Sequence, residues 1–104
     1  MSDGETINHD LVPRPSNKAV PLDKVDTFDE GLDYALAAFH VCVDKVDKGE
    51  DKDRWNQAGW AYFAAYTSLV GLKDLPGDQL GKCKGILAEA DHKADVAAGR
   101  AKQA

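Results

Sequence analysis

Acidic and histidine-containing pairs are the residues of this chain best suited to chemistry. Glu30-x-x-Asp33 and Glu50-x-x-Asp53 carry two carboxylates at helical i, i+3 spacing, the form in which neighbouring helices can hold Mg²⁺. Glu89-x-x-His92 has the form used in di-iron carboxylate bundles. His40-x-Cys42 sets two transition-metal ligands side by side in sequence.

Each pair fails on geometry. Glu30 opens one predicted helix and Glu50 lies beyond its far end, which separates them by roughly 30 Å at 1.5 Å per residue. Ligands of a shared ion sit within about 2–2.6 Å of it, so only an antiparallel pairing of two chains would unite these motifs. A di-iron site needs the Glu-x-x-His motif twice, with two further glutamates facing the core. Here it occurs once, opposite the apolar residues of its helix. Residues i and i+2 of a helix point about 200° apart, so His40 and Cys42 cannot share a metal; His40 is expected on a flank and Cys42 in the core. Gly77, Gly81 and Gly85 do not sit in the strand-to-helix context of a phosphate loop. No serine or cysteine has a histidine placed to activate it. The expectation is no catalytic residue, no metal ligand and no cofactor.

The elements that carry these residues are organised around Trp55–Leu72, eighteen residues without a charge. On a helix, Trp55, Gly59, Tyr62, Phe63, Tyr66, Leu69 and Val70 fall on one apolar face. Gln57, Ala61, Ala64, Ala65 and Ser68 fall on the other, small and uncharged. A helix that is apolar or neutral all round is usually covered on all sides. A membrane span is the competing explanation, but it needs about 20 predominantly apolar residues. This stretch holds Asn56, Gln57, Thr67 and Ser68, with charges close on both ends.

Helix 1 is predicted over about 27–48. Thr27 and Glu30 have capping-box spacing, Gly49 suits the position just past the end, and Phe28, Leu32, Leu36, Phe39, Val43 and Val46 form an apolar stripe. Helix 2 covers about 51–72, with Asp51 or Asp53 as its cap, and helix 3 about 78–101, capped by Asp78 or Asp74. Helix 3 has a weaker stripe through Leu80, Cys83, Ile86, Leu87 and Ala90, and an alanine-rich end expected to fray after Ala98. Short links make neighbouring helices antiparallel. The fold class is therefore all-α, an up-down-up three-helix bundle over residues 26–104, with residues 1–25 as an extended arm broken by Pro13, Pro15 and Pro21. That topology keeps Cys42 and Cys83 at different heights, roughly 15 Å apart and out of disulfide reach.

At 104 residues the chain is long enough for one modest core. Its net charge of −5 is concentrated, with nine acids against three bases over residues 26–53. That balance argues against binding a nucleic-acid backbone. The first ten residues lack the basic and apolar regions of a signal peptide, so a cytoplasmic setting with reduced thiols is expected. The leading functional expectation is a non-enzymatic structural or assembly subunit, docking to itself or to a protein partner and to no membrane. Its surfaces would be Gln57, Ala61, Ala64, Ala65 and Ser68, an uncovered patch of Tyr34, Ala38 and Val41, and the arm. By analogy alone, a virion or another large particle assembled in the cytoplasm is a setting for such a subunit. The alternative is an acidic inhibitor or adaptor whose helix-1 carboxylates, Asp29, Glu30, Asp33, Asp44 and Asp47, engage a basic surface, such as the nucleic-acid site of another protein.

Overall fold

A computed structural model describes residues 12–99. They form three helices, α1 (Phe28–Asp47), α2 (Lys52–Leu72) and α3 (Gln79–Ala98), preceded by an arm containing one 3₁₀ turn at Leu22–Lys24. Among the described residues there is no strand. The architecture is an all-α three-helix bundle.

Local chemistry sets the helix ends. Thr27 accepts the Glu30 backbone N–H at 3.1 Å, while the Glu30 carboxylate accepts the Thr27 N–H at 3.1 Å, completing the capping box. Gly49 follows the end of α1 at φ +79°, a left-handed conformation that a side chain would strain. Asp78 caps α3 by accepting the Gly81 N–H at 2.9 Å. Asp51 occupies the cap position of α2 without using its side chain there. It sits at φ 35° and its carboxylate pairs instead with Arg54 at 3.2 Å. At the other end of α2, the Gln79 side-chain amide reaches the carbonyls of Leu72, Lys73 and Leu75 at 2.8, 3.0 and 2.6 Å. The Leu72 carbonyl also accepts the Leu75 N–H at 2.9 Å, so the Gln79 amide adds to the acceptors gathered at and just past the helix end.

Up-down-up topology follows from what meets what. Gly31 near the start of α1 lies against Cys83 near the start of α3, so these two helices run parallel. Lys45 near the end of α1 lies over the Trp55 ring near the start of α2, at 5.7 Å, and Arg54 lies beside Gly99 just past α3. Both contacts make α2 antiparallel to its neighbours. A Cβ added to Gly31 would overlap Cys83 Sγ, so glycine here is what lets α1 and α3 approach. Cys42 lies three turns further along α1; both cysteines are buried and no disulfide joins them.

The core is built from Phe39, Leu36 and Val43 of α1, Tyr62 and Leu69 of α2, and Leu87 and Cys83 of α3. Phe39 packs against Phe63 with ring centroids 5.9 Å apart. α2 packs along both other helices, which touch one another more sparingly. Its buried residues are therefore Ala58, Gly59, Tyr62, Ala65 and Leu69, with Trp55, Phe63 and Tyr66 packed half-buried beside them, so the buried line is only partly rotated from the face its hydropathy suggests. Val70 is 47% exposed instead of buried, because it falls on the side that neither neighbour covers.

Residues 12–25 do not hang free. Val12 and Val25 are buried. Ser16 donates its N–H to Asp33 Oδ1 at 2.9 Å, and His40 Nε2 lies 3.0 Å from the Pro13 carbonyl. Asp33 and His40 are two helical turns apart on one side of α1, so the arm runs along that side as a strap. Residues 1–11 and 100–104 lie outside the described residues, as does the predicted continuation of helix 3 to residue 101.

Candidate interaction surfaces

The outward side of α2 combines exposure with neutrality. Gln57, Trp60, Ala64, Ser68 and Gly71 are all exposed and share one ridge of the helix. Trp60 is 46% exposed, and its ring meets Phe63 edge to face with centroids 5.5 Å apart. Large aromatic residues are normally placed where one side has something to pack against.

Of the five residues expected to form this surface, Gln57, Ala64 and Ser68 are exposed and Ala61 is half-buried. Ala65 is buried where α2 meets α3, beside Ala90, and small residues there suit closely packed helices. Between α2 and α3, Ala61, Ala64 and Ser68 face Ile86, Glu89 and Lys93 across a shallow groove of about 150 Å³. Glu89 and Lys93 pair with each other at 3.2 Å, so the rim of the groove carries no net charge.

The Tyr34–Ala38–Val41 patch divides. Val41 is 53% exposed, and with Ala38, Cys42 and Lys45 of α1 it walls a cleft of about 330 Å³ whose other side holds Trp55 and Tyr62 of α2. Tyr34 is half-buried and reaches across to α3, donating its hydroxyl to Asp91 Oδ2 at 2.6 Å. Tyr62 of α2 donates its hydroxyl to the other oxygen of the same carboxylate. One aspartate thus ties all three helices together. Burial, then the hydrogen bond and negative charge of Asp91, push the Tyr62 phenol far above its ordinary pKa, so it stays protonated and acts as a donor. Burial likewise pushes the Cys83 thiol up, against a smaller opposing effect of Lys84, which leaves an unreactive core thiol.

The acidic set is dispersed. Asp29, Asp44 and Asp47 are exposed. Glu30 is half-buried and engaged in the capping box. Asp33 is only 7% exposed, beneath the arm. His40, expected on a flank, is 5% exposed, because the same strap covers it. Among the described residues, no three potential metal ligands converge, and no helix is long and apolar enough to cross a membrane.

Sequence reasoning missed Trp60, Asp91 and the strap. The spacing Ala58–Tyr62–Ala65–Leu69 carried a signal for the first, since small residues at seven-residue separation mark a close helix contact and turn Trp60 outward. No local pattern ties Asp91 to two tyrosines on other helices. No family model matches this chain, and no curated protein or solved structure matches it.

Proposed function

We propose that this protein is a non-enzymatic structural or assembly subunit that docks to itself or to other proteins through the outer face of α2. A single observation carries the reading: an exposed tryptophan stands in the middle of a helix face with no charge from Trp55 to Leu72. Isolated apolar surface residues are ordinary, but a helix wetted by bulk water usually displays charge on that side. Two buried cysteines without a disulfide fit a reducing cytoplasm, or a particle assembled there, with a virion as one such particle by analogy. The described arm belongs to the subunit's own packing rather than to its docking surface, since Asp33 and His40 hold it. The acidic-adaptor reading is the weaker one, with Asp33 covered and Glu30 occupied.

Affinity capture from the native cells tests this, using wild type, Ala64→Glu and an Asp29→Asn/Asp44→Asn/Asp47→Asn variant. Partners lost only with Ala64→Glu support docking through α2. Partners lost only with the acidic-face variant, and more weakly held as salt rises, would move the function to α1. Capture insensitive to both variants overturns both readings.

A further inference from the structure

A cavity of about 330 Å³ lies between the strap and the helices, at the small end of the range for small-molecule sites. Its apolar wall is Leu32 and Leu36 of α1 with Tyr66 of α2, and the strap forms the opposite wall through Pro13 and Ser16. Three charged residues line it as well, Arg14, Asp29 and Asp33. An apolar lining with a few placed polar groups is the usual make-up of a site for a small organic molecule.

The charges around this cavity do not cancel one another. Among the described residues, neither Arg14, Asp29 nor Asp33 belongs to an ion pair. Asp33 is only 7% exposed, and its one hydrogen bond there comes from the neutral Ser16 N–H. A carboxylate accepts several donors, and a buried one is normally matched by a cation. An ammonium group suits that place, with Asp29 one turn away on the same side of α1. Pro13 meets His40 and Ser16 meets Asp33, so Arg14 lies between them, toward the Leu36 end, where its guanidinium suits a carboxylate. Beyond Asn17, a neighbouring hollow shares Asp29 and Asp33 and adds Lys18 and Glu30. Glu30 is spent on the capping box. Two bases then face two acids, and the ligand that fits is neutral overall and carries both signs. The equal-sized cleft between α1 and α2 differs, because its one cation, Lys45, already pairs with Glu50 at 3.5 Å.

We propose that this cavity binds a free α-amino acid with an apolar side chain. The ammonium sits on Asp33 and Asp29, the carboxylate on Arg14, and the side chain against Leu32, Leu36 and Tyr66. The site is separate from the outer face of α2 and does not depend on docking there. A ligand that touches the strap, α1 and α2 together fastens residues 13–17 to the bundle, since it binds only while they are in place.

Isothermal titration calorimetry of the full chain with leucine and with phenylalanine, side chains of two sizes, tests this. At least one is expected to bind with a dissociation constant below about 1 mM. Three truncations of that ligand are expected to bind at least about tenfold more weakly: the acid without its amine, the amine without its carboxyl group, and glycine. Arg14→Gln and Asp29→Asn, both at exposed positions, are expected to weaken binding at least about tenfold. Asp47→Asn, an exposed acid at the far end of α1, is expected to leave it unchanged. Trypsin cutting after exposed Lys18 is expected to slow by up to about tenfold at ten times the dissociation constant, which locates the ligand beneath the strap. Circular dichroism verifies that the variants keep their helices; should one fail to fold, the truncated ligands on wild type decide. The proposal is overturned if neither amino acid binds, if the acid or the amine alone binds as tightly as the amino acid, or if affinity is unmoved by both variants.

Discussion

The arm side of α1 and the outer side of α2 contrast in an instructive way. By composition the α1 side should be wet: Asp29, Asp33, His40 and Asp44 all lie along it. The α2 side should be dry, with no charge over eighteen residues. The structure leaves Asp29 and Asp44 exposed but covers the middle of the α1 side, and leaves the outer ridge of α2 open. Asp33 and His40 are buried beneath residues 12–16, and Trp60 of the uncharged helix stands in solvent. A polar side chain is covered where the chain can bring it a hydrogen-bond partner, and here proline-rich backbone supplies a free carbonyl and an amide. A neutral face gains cover only if apolar surface reaches it, and the arm is already committed elsewhere.

The largest effect expected on this contrast comes from His40→Ala. It removes a buried ring and the partner of the Pro13 carbonyl, and is expected to cost about 3 kcal/mol. It should also release the arm, so trypsin cutting after exposed Lys18 is expected to accelerate at concentrations of urea that leave the helices folded. Unchanged cutting would mean that the strap is held by other residues.

Asp33→Ala ranks next, at about 2 kcal/mol, since it leaves the Ser16 N–H without its acceptor. Urea midpoints measure it. Additive losses in the double variant with His40→Ala would show two independent clasps, while a double loss close to the larger single loss would show one strap that detaches whole.

Tyr62→Phe probes the junction between the two regions and is expected to cost about 1 kcal/mol, because half-exposed Asp91 keeps Tyr34 and gains water. Its pH signature is more specific. The folded chain holds the Tyr62 proton more tightly than the unfolded chain, which releases it near pH 10. Above that pH the unfolded state binds fewer protons, so stability falls as pH rises. Urea melts between about pH 8 and pH 11 are expected to show a shallower fall for Tyr62→Phe than for wild type. Equal slopes would place the phenol in water.

Smallest of all is the folding cost of Ala64→Glu, expected within about 0.5 kcal/mol in the dilute single chain, because the site is exposed. A large loss there would mean that the outer face of α2 is covered within the monomer, and the contrast with α1 would disappear.

Local interactions made much of this protein legible without its structure. Thr27 with Glu30, Gly49 after α1 and Asp78 before α3 act over four residues or fewer, so the sequence pattern is itself the physical cause. The α1 stripe through Leu36, Phe39 and Val43 is equally plain, because one broad side of that helix meets the core. On α2 the same reasoning turned the helix too far toward its aromatic residues. A helix flanked by two neighbours buries the line between them, and alanines at 58 and 65 mark that line only once both neighbours are in place. The contacts that tertiary structure alone decided span 17 residues from Ser16 to Asp33, 27 from Pro13 to His40, 29 from Tyr62 to Asp91 and 57 from Tyr34 to Asp91. A hydrogen bond across such distances has no period in the chain. It exists because packing has already brought its two ends together, and so it is read only in three dimensions.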